Sequence, residues 1–327
     1  MPISKKSLLD PIFLRKLERL RIQARRAFPG TMRGERRSTR RGSSVEFSDF
    51  RKYEAGDDFR HVDWNIYARL ERLMLRQFIE EEDVRIDILL DRSRSMHFGQ
   101  PFTKFEFACR AAAALAFLAV GSLDRVGLLA FDSALRSRTR ALRGRGHLTT
   151  VLNFLEALSE ECEAEGGAGA EIEAAASDST SKEALAANSL SQRTDLSAAL
   201  RGYQKTASRS GILFVISDFF DSGDFRREIK LLAHRGFDVN LIQVLAPEEM
   251  APEVGGDLLL TDSETGEERE ITANERVVAA YKRAISEFTA SIESFSRATG
   301  IGYTMLTADA VFEDLLLKNL IESRMAE

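Results

Sequence analysis

The sequence predicts an α/β fold, a doubly wound, mostly parallel sheet with helices on both faces, and three observations carry that expectation. Short apolar runs of strand length alternate with longer runs of helical spacing over most of the chain. Two of the apolar runs lead straight into an Asp: Ile86–Leu90 into Asp91, and Ile212–Ile216 into Ser217-Asp218. Finally, 327 residues at 44% hydrophobic and 30% charged can bury a core without disulfides or a structural metal.

Each element has its own signal. Leu9, Phe13, Leu17 and Leu20 recur at near-helical spacing and predict a short helix over Leu8–Ile22. An arginine-rich loop follows, and Ser44–Arg76 then mixes charged and aromatic residues with no period that local preference resolves. Ile86–Leu90, apolar except for Asp87, reads as a buried strand. Thr103 and Glu106 form a capping-box pair ahead of an Ala/Leu/Phe helix that runs to Val120. Val126–Phe131 is a strand and Leu148–Leu158 a helix. Residues 159–191 are rich in Ala, Glu, Gly and Ser with almost no large apolar groups, so a flexible insertion is expected there.

Beyond it, Leu196–Thr206 is helical and Ile212–Ile216 is a wholly apolar strand. Phe225–His234 is a helix closed by Gly236, at the position a left-handed C-cap favours. Val239–Val244 is a strand. Residues 257–272 read as an inserted β-hairpin, with Leu258–Leu260 and Glu270-Ile271 flanking a polar turn. Glu275–Ala298 is a long helix closed by Gly300, Tyr303–Leu306 a strand and Val311–Leu320 a last helix. The organisation expected is an N-terminal extension over 1–84 and an α/β domain over 85–327.

Composition excludes several classes. Two cysteines, Cys109 and Cys162, make no disulfide framework and fit a reducing compartment. The longest apolar run, Ala111–Val120, is far short of the roughly 20 residues of a membrane-spanning helix. Asp10, Pro11 and Arg15 interrupt what would have to be an apolar signal core, and a cytoplasmic protein is expected. Residues 1–60 hold 16 Lys and Arg against 8 Asp and Glu, +8 in a chain of net charge −5, which leaves −13 for the rest. The excess gathers in Arg15–Arg41, a segment suited to nucleic acid, anionic lipid or an acidic protein, or to packing on its own acidic body. Phe28 stands alone between Phe13 and Phe47, so stacking aromatics are scarce and nucleic acid is not the expected partner.

Ligands of open α/β sheets collect beyond the carboxyl ends of the strands. Those ends offer Asp91-Arg92-Ser93-Arg94-Ser95 and Ser217-Asp218, and Arg193-Thr194-Asp195 precedes the helix leading into the second strand. Carboxylates and hydroxyls are hard oxygen donors, with no imidazole or thiolate among them, a set that suits Mg²⁺ or Mn²⁺ and argues against zinc. Neither a phosphate-binding Gly-x-x-x-x-Gly-Lys-Ser/Thr loop nor a His-Glu-x-x-His helix occurs, and the four His residues are scattered.

Asp91-x-Ser93-x-Ser95, Thr194 and Asp218 resemble the metal-ion-dependent adhesion site of von Willebrand factor type A domains. The resemblance implies Ser93, Ser95 and Thr194 as direct ligands of the ion, Asp91 and Asp218 as direct or water-bridged ones, and a partner's carboxylate completing the octahedron. Upstream, Val45-Glu46-Phe47, Arg51, Tyr53, Gly56-Asp57-Asp58, Arg60, Asp63-Trp64 and Ala68-Arg69 form a succession similar to the DUF58 family, whose members are often encoded beside a MoxR-type AAA+ ATPase. The two resemblances together imply a non-enzymatic, metal-dependent protein-interaction module, an adaptor for a MoxR-type ATPase in complex assembly or maturation. The alternative is a Mg²⁺-dependent phosphohydrolase using the same oxygens. In the Gly56–Arg69 block, a lone tryptophan favours an ionic brace with Trp64 buried beneath it over a docking surface.

Overall fold

The structure, a computed structural model, describes residues 15, 18, 46–54, 57–79, 85–100, 102–121, 125–175, 194–207, 210–221, 223–252, 255–262 and 267–308. The expected helices at Leu8–Ile22 and Val311–Leu320, the arginine-rich segment and residues 176–193 lie outside these, residues 15 and 18 apart. The chain divides into two compact units, one of them residues 28–84.

In that smaller unit, strand β1 (Glu46–Lys52), helix α1 (Trp64–Leu70) and strand β2 (Met74–Ile79) follow one another, with β1 and β2 paired antiparallel. Asp63 starts α1 by accepting the backbone N–H groups of Asn65 and Ile66, and Glu71 ends it in the left-handed conformation. Of the ionic brace expected from Asp57, Asp58, Asp63, Arg60 and Arg69, the structure gives the Asp58–Arg60 pair, while Asp57 turns to Arg51 and Asp63 caps α1. Arg51 meets Asp57 at 2.7 Å and Arg60 meets Asp58 at 2.6 Å. The packing half is corrected: Trp64 is 58% exposed and meets Tyr67 edge-on along the same helix face, with a centroid separation of 6.2 Å. Its position at the first turn of a seven-residue helix, three residues before Tyr67, builds an aromatic stripe instead of a buried anchor.

The larger unit follows the predicted alternation. In chain order come β3 (Arg85–Asp91), α2 (Lys104–Gly121), β4 (Arg125–Phe131), β5 (Leu135–Arg138), α3 (Arg145–Ala175), α4 (Leu196–Thr206), β6 (Ile212–Ser217), α5 (Phe225–His234), β7 (Asp238–Leu245), α6 (Pro247–Met250), β8 (Gly256–Thr261), β9 (Glu268–Ala273), α7 (Glu275–Thr299) and β10 (Gly302–Thr307). Six strands form one sheet in the order β10-β7-β6-β3-β4-β5, parallel except for β5 at the edge. Strands β8 and β9 form the separate antiparallel hairpin that residues 257–272 predict.

Pleating sends alternate residues of each strand to opposite faces. Leu89, Leu129, Leu213, Val215 and Leu241 pack with Leu200 and Tyr203 of α4, Ile229 and Leu232 of α5 and Ile292 of α7. Ile88, Leu90, Leu128 and Ala130 take the alternate positions and are fully buried; α2 lies against β3, β4, β6 and β7, with α3 packed beside it. The reciprocal box ahead of α2 forms as expected: Thr103 Oγ1 accepts the Glu106 N–H at 3.1 Å, and Glu106 accepts the Thr103 N–H at 2.9 Å. Gly236 (φ +83°) and Gly300 (φ +66°) close α5 and α7 in the left-handed region. Helix α3 does not end at Leu158. It continues to Ala175, into the segment expected to be a flexible insertion.

Candidate functional site

The centre of the sheet fixes where the strand-end residues meet. Leu90 of β3 pairs with Ile216 of β6, so Asp91 and Ser217 leave the sheet side by side at its carboxyl edge. Ser217 Oγ donates to Asp91 Oδ2 at 2.6 Å, and the Ser93 N–H donates to Asp91 Oδ1 at 2.9 Å. That second bond curls the chain after β3, and the turn over Arg94–His97 continues it, bringing Ser93 Oγ and Ser95 Oγ to 3.0 Å from each other. The Arg92 N–H ties the same loop to Phe131 O at the end of β4.

Asp218 follows β6 directly. Its Oδ1 accepts the Phe220 N–H at 3.0 Å, its backbone carbonyl accepts Gln243 Nε2 at 3.1 Å, and its Oδ2 accepts the Lys104 ammonium at 2.7 Å. The next residue, Phe219, is fully buried with φ +62°, a conformation that a bulky side chain adopts only when its surroundings impose it. Its N–H donates to Ser217 Oγ, so the hydroxyl that holds Asp91 also holds the strained turn.

Asp91 and Asp218 are 0% and 2% exposed. Burial, reinforced by the charge of Asp218, pushes the Asp91 carboxyl up to about 7, against the pull of the Ser217 and Ser93 hydrogen bonds. A second buried carboxylate beside Asp91 raises the cost of ionising it, and such a place favours a cation. Glu249, in α6 after β7, adds a third carboxylate. It accepts Lys104 Nζ at 2.6 Å and the Ala246 N–H at 2.8 Å, and burial raises its pKa.

Thr194 is 8% exposed and is placed by its neighbours. Asp195 caps α4 through the Ala198 N–H and donates its own N–H to Asp132 O beyond β4, while the Leu196 N–H donates to Asp221, three residues after Asp218. Asp91, Ser93, Ser95 and Asp218 thus gather at one edge, and Thr194 directly precedes Asp195 and Leu196, whose N–H groups are tied to the chain after β4 and after β6. Among the described residues no three of His, Cys, Asp and Glu form a metal-holding group. The donors here are two carboxylates and three hydroxyls. Lys104 and Glu249 are the additions that sequence reasoning missed, and Ser217, seen at the strand end, gains its role as the partner of Asp91. Only Lys104 carries a local signal: a cation in the first helical position, opposed by the helix dipole.

Comparison with known proteins adds a family and a set of relatives. The family model described as "Protein of unknown function DUF58" matches residues 49–290. Uncharacterised proteins of Mycobacterium bovis and Mycobacterium tuberculosis are 28% identical over 264 residues, 80% of this chain and 74% of theirs. Among solved structures, the conserved hypothetical protein BatB of Bacteroides thetaiotaomicron is similar with a TM-score of 0.39 at 18% identity, covering 74% of this chain and 98% of that one. An aerotolerance-related membrane protein of Bacteroides fragilis, its structure determined with multiple mutations to serine, gives a TM-score of 0.39 at 18% identity over 72% and 98% of the two chains. Among the described residues of this chain, no helix is long and apolar enough to cross a membrane.

Proposed function

This chain belongs to the DUF58 family, and on that premise we propose that it is a metal-dependent protein-interaction module, an adaptor for a MoxR-type AAA+ ATPase working in the cytoplasm. The observation that carries the reading is the buried Asp91/Asp218 pair with two serine hydroxyls 3.0 Å apart beside it. An octahedral Mg²⁺ with ligands at about 2.1 Å spaces neighbouring oxygens by about 3.0 Å. The Ser93 and Ser95 hydroxyls, hydrogen-bonded to each other at 3.0 Å, already stand at that spacing, which supports a Mg²⁺ or Mn²⁺ ion in the manner of a von Willebrand factor type A site, with Ser93, Ser95 and Thr194 as direct ligands and Asp91 and Asp218 as direct or water-bridged ones. When bound, the ion supplies a Lewis-acid position for a carboxylate of the partner.

The chain's own residues do the rest. Ser217 and the Ser93 N–H orient the Asp91 carboxylate, the capping of α4 positions Thr194, and the Phe219 turn sets the direction of Asp218. Resemblance to a family often encoded beside MoxR-type ATPases supports the choice of partner. The test is capture of the MoxR-type ATPase by the full chain in Mg²⁺ and in EDTA, with a panel of phosphoesters assayed alongside. Capture that EDTA abolishes, without turnover, is expected. Phosphoester hydrolysis that disappears in Ser93→Ala would favour a Mg²⁺-dependent phosphohydrolase instead.

A further inference from the structure

Lys104 is 0% exposed, yet it opens α2, where the helix dipole disfavours a cation. Its ammonium lies 2.7 Å from Asp218 Oδ2 and 2.6 Å from Glu249 Oε1, with the Phe220 ring centroid 5.0 Å away. A buried ion pair of this kind is weak evidence for stability, because an apolar replacement of similar volume often serves a core as well. Burial and helix position both work against the lysine, and its contacts are to a carboxylate that the proposed metal site also uses. Local rules broken in this way, by a buried cation at a helix start, point to a functional site.

We infer that Lys104 is a resident counter-cation that holds Asp218 and thereby sets how tightly the strand-end site takes a divalent ion. The inference rests on the metal-site reading above and adds its regulation. Glu249 is the second half of the device. By sharing the ammonium it offsets part of the positive charge felt at Asp218, and its own position is fixed by the Ala246 N–H. Removing the lysine charge should favour a divalent ion, and removing the glutamate charge should disfavour it. A purely structural clamp would lower the melting temperature of both variants without moving their ion affinities in opposite directions.

Mn²⁺ titration by calorimetry of the full-length wild type, Lys104→Met and Glu249→Gln tests this, with melting temperatures in EDTA reporting the fold. Lys104→Met should bind Mn²⁺ about tenfold more tightly and Glu249→Gln about tenfold more weakly. If Lys104→Met does not fold, Glu249→Gln decides alone, and weakened binding is again the expected result. Wild-type binding that stays within about twofold in the folded variants, or moves the same way in both, overturns the role of Lys104 and leaves the metal site standing. Absence of binding in the wild type and in every variant overturns the metal site and this inference with it.

Discussion

Ser217 donates its hydroxyl proton to Asp91 at 2.6 Å, joining the ends of two neighbouring strands across 126 positions of sequence. The same oxygen accepts the N–H of Phe219, so one small side chain holds both a buried carboxylate and a strained turn. Ser217→Ala should therefore cost about 1–3 kcal/mol, the range for a buried acceptor that loses its donor. Denaturant melts that superimpose on wild type would contradict this.

The raised pKa of Asp91 has a definite sign in stability. Its carboxyl titrates near 7 in the folded chain, against 3.8 for an ordinary Asp, so between those values the folded state keeps a proton that the unfolded state has released. Stability from this group is fully present below about pH 4 and is lost as pH rises towards 7. Melting temperatures in EDTA should fall across that window for wild type, and Asp91→Asn should flatten the fall. Equal slopes in the two proteins would argue against a protonated Asp91.

Another buried carboxylate provides a control away from the strand ends. Asp87, in the middle of β3, accepts the Tyr203 hydroxyl at 2.7 Å and Arg85 Nε at 2.7 Å. Burial and then the Asp87 charge hold the Tyr203 phenol protonated well above its usual range. Tyr203→Phe should destabilise by about 1–3 kcal/mol and leave Mn²⁺ affinity unchanged. A shift in ion affinity would place Asp87 in the same electrostatic unit as Asp91.

The smaller unit yields a prediction opposite to the sequence expectation. With Trp64 58% exposed, Trp64→Ala should change stability by no more than about 0.5 kcal/mol, as at other surface positions, and native emission should lie near that of indole in water. A blue-shifted maximum with a large loss of stability would restore the buried brace.

How much of this was readable from sequence depended on the range of each interaction. Long periodic segments gave themselves away: Leu196–Thr206 and Phe225–His234 coincide with α4 and α5, and the Thr103/Glu106 box and Gly236 and Gly300 mark the ends where they should. Strand β5 was missed because Leu-Arg-Ser-Arg is short and half-exposed, with one large apolar residue to betray it. Helix α3 outran its expected end for a different reason. Scarce apolar residues argue against burial, but Ala and Glu are strong helix formers and carry the helix to Ala175. At the strand ends, Asp91, Ser93, Ser95 and Asp218 were visible as short motifs. The pairing of Lys104 with Glu249 was not, because it spans 145 positions and exists only once β6 and β7 lie side by side, and the helix-start position of Lys104 gives no hint of its partner.

The central claim, a divalent ion held by Asp91, Ser93, Ser95, Thr194 and Asp218, is tested most directly by calorimetric titration of Mn²⁺ into wild type, Asp91→Ala and Asp218→Ala, each shown to be folded by circular dichroism. The account predicts saturable binding of a single ion to wild type and no measurable binding to either variant. Wild-type affinity retained in both variants would contradict it.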